Sequence, residues 1–390
     1  MPEIRLEEIE LLPILSSASV VRVPAAAIPD LIAQALADSD PANLFMRMFH
    51  LLQALGQQEF ALDMQAKALE RRSLYRLSGP SAPAIRLLAL MGPGDMMDNT
   101  PLEYLVENSD IRLDQLFLLP DQALPEIIPD HDVALVALSE SDKNRPLLTR
   151  LESLLDAWPR PVLNHPRHIA HCARDTAYRL LNDIPGLLIP ETWRLESKRI
   201  RNCAFPITIR PVDTHGGKGL AKLDSADELD AYFELNPAVE YFVAEYVDYR
   251  SNDGLFRKAR IALIDGQPYA CHLAISEHWI VHYVPAGMSL SAPKRAEEAA
   301  WMESFDNDFA VRHRAAFNTI AARLGLDYVV LDCGETQDGR LLLFEADNAG
   351  WVHATDPIDL FPHKPEIMQK AFDAFRAMLA NRSANNPRSP

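Results

Sequence analysis

The sequence predicts a multidomain protein of mixed α/β and α+β class: an N-terminal helical segment, then an open α/β domain, then a domain of antiparallel sheets with helices. Three observations carry this. Apolar residues three and four apart fill the chain up to about Leu77, short apolar runs alternate with amphipathic helix after Pro83, and from Phe205 onward apolar runs are joined by Asp-Gly turns. At 390 residues the chain exceeds what one compact core usually takes, so two or three domains are expected. We place them at 1–80, 81–190 and 191–380, with a tail over 381–390 that its composition predicts to be disordered.

In the first segment "DLIAQALAD", "LFMRMFHLLQALGQ" and "EFALDMQAKALERR" read as helices, the last two separated at Gly56. Small Ala61, Ala66 and Ala68 at the contact face make this layout resemble a single tetratricopeptide-type unit. Repeat arrays need about three stacked copies to bury a core, so a helical cap on the rest of the chain is the simpler reading. "LYRLSGPSAP" is a linker by composition. After it, "AIRLLALMG", "LDQLFLL" and "DVALVALS" are buried strands, and "PLLTRLESLLDAW" is a helix of the same α/β layer. The "GPGD" that ends the first strand is a turn rather than a dinucleotide fingerprint, which would need glycine at Met97. "ARIALI" and "QPYACHLAIS" flank Asp265-Gly266, "DYVVLDCGE" and "LLLFEAD" flank "QDGR", and Lys294 to Leu324 is largely helical.

The formal net charge of -17 argues against binding nucleic acid or anionic lipid. No apolar run approaches the ~20 residues of a spanning helix, and "MPEIRLEEIE" is acidic where a secretory signal is basic and then apolar. A cytoplasmic protein, a homo-oligomer, is expected. Cys172, Cys203, Cys271 and Cys333 form no CxxC pair and read as reduced thiols.

In so acidic a chain, a local basic cluster is informative. "FPITIRPVDTHGGKGLAKL", Phe205 to Leu223, sets Gly216, Gly217 and Gly219 among Arg210, His215, Lys218 and Lys222. A Walker loop would run into a helix, whereas "GLAKL" continues as a strand, so this is a hairpin tip. Its small residues let backbone N–H groups converge on an anion, and Arg210 adds a fork suited to phosphate. A surface hairpin with solvated charges is the bland alternative.

A two-residue turn at Asp338-Gly339 pairs residues whose numbers sum to 677, which sets Asp332 opposite Glu345 and puts Asp347 on the same face. Like charges opposite one another in buried strands need something positive, and a hard divalent cation with oxygen ligands supplies it. A solvent-facing acidic edge is the alternative. Lys258 and Arg260 share one face of their strand, with Arg257 on the other.

Over roughly residues 160 to 360 these motifs together resemble an ATP-grasp ligase. "FPITIRPVDTHGGKGLAKL" is similar to that family's phosphate loop, "YFVAEYVDY" to its hinge strand, "LDYVVLDCGETQDGRLLLFEADNAG" to its magnesium hairpin, and "PVLNHP" with "IPET" to the passage from a preceding α/β domain. The resemblance implies ATP and Mg2+ as cofactors. Arg210, His215, Gly216, Gly217, Lys218 and Gly219 would hold phosphates, and Glu245, Tyr246 and Val247 would meet the adenine. Asp332, Glu345 and either Asp347 or the following Asn348 would hold two magnesium ions. Asp248 or Asp253 would take the ribose. Arg260, Arg210 and Lys258 would act in catalysis. Arg210 stands where the family usually has lysine, Tyr246 stands where a lysine follows the hinge glutamate, and Thr176 replaces a basic residue, with Arg174 close by. The activity implied is joining of a carboxylic acid, an amino acid or a peptide, to an amine through an acyl phosphate. A peptide-modifying ligase that recognises its substrate through the helical N-terminus, and a non-catalytic nucleotide-binding protein, are the alternatives. His272, His282 and Tyr283 sit either on the acceptor side or simply within the sheet.

Overall fold

The computed structural model describes residues 4–120 and 122–384. The N-terminal segment folds into helices Ser17–Val21, Ile28–Leu36, Pro41–Ala54 and Gln58–Leu69. Pro41–Ala54 starts where the pattern asks, with Asp40 accepting from the Ala42 amide and Pro41 in the first turn. The two longer helices pack as a hairpin with Ala61 and Ala68 buried between them. Gln65, on the second, closes both hydrogen bonds with the Gly94 backbone at 2.8 Å. This amide fills the "GPGD" turn from one side, while Asn99 fills it from the other through Gly92.

The segment is woven into the α/β domain rather than set apart at residue 80. Leu74–Arg76, expected as linker, is the antiparallel edge of a five-stranded sheet that continues through Ile111–Phe117, Ile85–Met91, Val133–Val136 and Val162–Leu163, all parallel. Arg5–Glu7 pairs in parallel with Ile127–Pro129. Ile85–Met91 is buried at every position, which is why it reads as one continuous apolar run.

Two antiparallel sheets build the remainder. The first orders Ala221–Leu223, Ile207–Pro211, Glu240–Glu245 and Thr192–Glu196. The second orders Gln267–Ser276, Phe256–Ile264, Tyr328–Glu335 and Leu341–Asp347, with Leu187–Leu188 added in parallel from before the expected boundary at 190. Beneath this second sheet lie helices Ala292–Ser304, Arg314–Leu324 and Lys364–Ala384. The first is capped by Ser291, and the second ends on left-handed Gly325. The third is helical through 381–384, where disorder was expected; the other residues of that expected tail, 385–390, lie outside the described residues.

The hairpin that carries the carboxylates reaches the expected pairing by another route. Thr336 N donates to Arg340 O at 3.0 Å, so the tip holds three residues and the first pairs sum to 676, as in Glu335 with Leu341. A bulge then adds Phe344 to the second strand, and from Asp332 with Glu345 onward the sum is 677. Two departures of one residue cancel.

Candidate functional site

The two antiparallel sheets face each other across a cleft of about 240 Å3. Period-two alternation decides what enters it. On the four-stranded wall Thr208, Arg210, Phe242 and Ala244 line the cleft, while Ile207, Tyr241 and Val243 turn to a separate small core behind, which Ile209 joins although it also borders the cleft. On the five-stranded floor Lys258, Arg260, Asp332, Glu345 and Asp347 line it, over buried Ala259, Leu331 and Cys333. Arg260 pairs with Asp332, and Asp332 with Glu345, so one row of charge crosses three adjacent strands.

The wall's hairpin tip closes one end. Gly216, Gly217 and Gly219 adopt φ of 60°, 77° and 68°, the left-handed region that favours glycine. A Cβ on Gly217 would overlap the His282 ring, so this close approach also requires glycine. His215, Gly216 and Gly217 line the cleft, and the Gly216 and Gly217 amides donate to no acceptor among the described residues. Lys218 and Gly219 are corrections: neither lines the cleft. Lys218 is exposed, and Gly219 packs on Pro211 while its carbonyl accepts from Tyr232 Oη at 2.7 Å. Arg210 is buried and donates to Thr214 Oγ1 at 3.1 Å and to the Thr214 carbonyl. Burial, then the neighbouring Arg174, brings its guanidinium down to about 10.

Glu245, Tyr246 and Val247 line the other end with Trp279, and Tyr249 Oη donates to the Trp279 carbonyl at 2.7 Å. Asp253, together with its alternative Asp248, falls outside the lining. Asp253 is held by Arg257 at 2.6 and 3.0 Å, and Asp248 by Arg250 at 3.0 Å, each pair within four residues of chain. Of His272, His282 and Tyr283, only His282 lines the cleft. His272 packs on Tyr283 with ring centroids 4.7 Å apart, and Tyr283 is claimed by Glu298 and Lys364 at 2.8 and 2.6 Å.

The carboxylates differ among themselves. Asp332 accepts from Lys258 Nζ at 2.9 Å and from Arg260 Nε and Nη2 at 2.8 and 3.0 Å. Burial raises its proton affinity, but Arg260 and then Lys258 outweigh that and hold the carboxyl well below the usual range. Glu345 is bonded by Arg174, a residue 171 positions away in sequence, and is likewise held low against burial by Arg174 and Arg210. Asp347 has no cation bonded to it among the described residues; burial and then Glu345 push it up to about 6. Asn348 is fully buried and faces the α/β domain, donating to Leu138 O at 2.8 Å and accepting from the Glu140 amide at 3.2 Å.

The positive charge that the sequence led us to expect is therefore supplied largely by the chain's own cations. Among the described residues no group of three or more His, Cys, Asp or Glu side chains is disposed to hold a metal ion. Asp332 already accepts three charge-assisted hydrogen bonds, which leaves about one of its four lone-pair positions open, whereas Glu345 accepts one such bond, from Arg174, and Asp347 none among the described residues. Asp332 and Asn348 thus do not fit as metal ligands. Glu345 and Asp347, two like charges on one face beside the glycine loop, do fit a hard cation that takes the rest of its shell from water or phosphate. Arg174 is the cleft residue that motif spacing left at the margin, since only the tertiary fold brings it to Glu345.

No protein-family model and no curated protein matches the chain. Among solved structures it is similar to the VanG D-Ala:D-Ser ligase from Enterococcus faecalis, at 16% identity and a TM-score of 0.47 over 77% of this chain and 99% of that one. It is also similar to a RimK domain ATP-grasp protein from Sphaerobacter thermophilus, at 18% identity and a TM-score of 0.43 over 76% of this chain and 99% of that one. A third is the ATP-grasp ligase PsnB, solved with a minimal precursor variant, Mg and ADP, at 17% identity and a TM-score of 0.42 over 76% of this chain and 99% of that one. The described residues contain no helix long and apolar enough to cross a membrane.

Proposed function

We propose that the chain is an ATP-dependent ligase that joins a carboxylic acid to an amine, with ATP bound between the two antiparallel sheets. The observation that carries this reading is the row Arg260, Asp332, Glu345 on the floor of a cleft also lined by a glycine loop and a buried Arg210; among the described residues two amides of that loop have no acceptor and Arg210 has no carboxylate partner. Such an arrangement surrounds a polyanion with fixed donors.

Glu245 accepts from the adenine amino group, and the Gly216 and Gly217 amides with Arg210 hold the terminal phosphates. Lys258 and Arg260 face the transferred phosphoryl group. Glu345 and Asp347 would hold magnesium, which would supply positive charge against the charge that develops on the phosphates. A carboxylate oxygen of the acid attacks the γ-phosphorus, the bond to the bridging oxygen breaks, and ADP leaves. The amine then attacks the acyl carbon, inorganic phosphate departs with one oxygen of the acid, and the amine proton passes to solvent. Closing the glycine loop against His282 keeps water from the acyl phosphate.

The test is ADP release screened over pairs of amino acids, small acids and short peptides. With the true acid carrying oxygen-18 in its carboxylate, one label should appear in inorganic phosphate. AMP as the stoichiometric product would sink the mechanism. ATP binding with no turnover of any acid would favour a non-catalytic nucleotide-binding protein instead.

A further inference from the structure

If Glu345 and Asp347 take the magnesium, Asp332 needs another role, and its surroundings supply one. Lys258 and Arg260 leave the same strand two residues apart, and both heads converge on this one buried carboxylate, filling three of its roughly four lone-pair positions. Arg260 is fixed a second time, its Nη1 donating to Trp351 O at 3.0 Å. Lys258 spends one of its three N–H donors on Asp332 and still lines the cleft. The cluster of two cations and one anion keeps a net positive charge facing Glu345.

We propose that this chain works with one divalent cation rather than two, the Lys258 ammonium supplying the second positive charge on the phosphates, and that Asp332 is a positioning residue that aims Lys258 and Arg260 into the cleft. This rests on the nucleotide-binding reading above. A lysine in a fixed place supplies one unit of positive charge where a second ion would supply two, and it does so at any magnesium concentration.

The experiment counts Mn2+ by the electron paramagnetic resonance of the free ion, with the β,γ-imido analogue of ATP in excess. One Mn2+ per chain is expected. Asp332→Asn should still bind one with affinity changed by less than about threefold, whereas Glu345→Gln should weaken it at least about tenfold. In turnover, Asp332→Asn should lower kcat about tenfold or more with the KM for ATP within about twofold, and Lys258→Arg should keep part of the rate that Lys258→Met loses. Two Mn2+ on the unmodified chain, or loss of the single ion in a folded Asp332→Asn, would overturn the inference and leave the nucleotide reading standing. No nucleotide-dependent Mn2+ uptake at all would overturn both. The count on the unmodified chain decides the matter even if Asp332→Asn fails to fold.

Discussion

The floor and the wall of the cleft are made on opposite terms. Leu331, Leu341, Leu342 and Leu343 of the floor are fully buried in the main core, and its charges are answered in place, Asp332 by Lys258 and Arg260 and Glu345 by Arg174. The wall keeps a small core of its own, eight residues that include Ile207, Ile209, Tyr232 and Val243. Polar contacts tie it to the α/β domain: Arg194 to Asp142 at 2.9 Å, and the amides of Asp142 and Lys143 to Asp213 at 3.0 and 3.3 Å. Its one cleft-facing arginine, Arg210, has no carboxylate within ion-pair distance among the described residues. A unit with a separate core and polar ties is expected to open more readily than the floor. A buried cation left without an anion costs stability, which makes Arg210 a candidate to bind an anionic ligand.

The sharpest way to break this comparison is on the floor. Glu345→Gln or Asp347→Asn should lower ADP release by about a hundredfold or more at saturating magnesium. Near-normal turnover in either would remove the metal from this reading. Next, Asp332→Asn should destabilise the whole protein by about 3 kcal/mol in urea unfolding, because it leaves two partly buried cations without their buried anion. A loss below about 1 kcal/mol would mean that the floor is not neutralised in place.

On the wall, Arg210→Met should do the reverse. Stability stays level or rises, while calorimetry shows ATP bound roughly tenfold more weakly. A clear fall in stability would make Arg210 structural. Glu245→Ala should weaken ATP about fivefold relative to GTP or CTP, and equal loss for all three would deny it a part in reading adenine. The smallest effect sharpens the boundary between the two sheets. Ile209→Val, costing about 1 kcal/mol, should speed amide exchange in Ile207–Pro211 and Glu240–Glu245 while Tyr328–Glu335 keeps its protection.

Much of this was legible in advance because it is local. Alternation puts Lys258 and Arg260 together whatever the rest of the chain does, and three glycines spaced so closely permit the positive φ of a tight tip where other residues would be strained. The pairing of Asp332 with Glu345 came out right although the tip was assumed one residue too short, since the bulge at Phe344 restored the register. Turn length is decided by fine backbone energetics that "QDGR" does not spell out. Lys218, Asp253 and Asn348 failed for a different reason. Each is the residue type the chemistry wants at the spacing it wants, but solvent, Arg257 and the α/β domain claim them first.

By itself the sequence determined the strands and helices, the faces on which the charges lie and the glycine tip, because period-two and period-3.6 patterns and backbone sterics act between residues close in the chain. Only the tertiary structure decided who neutralises whom. Coulomb attraction depends on distance in space, and Arg174 reaches Glu345 from 171 residues away, Lys258 reaches Asp332 from 74 and Asn348 reaches Leu138 from 210.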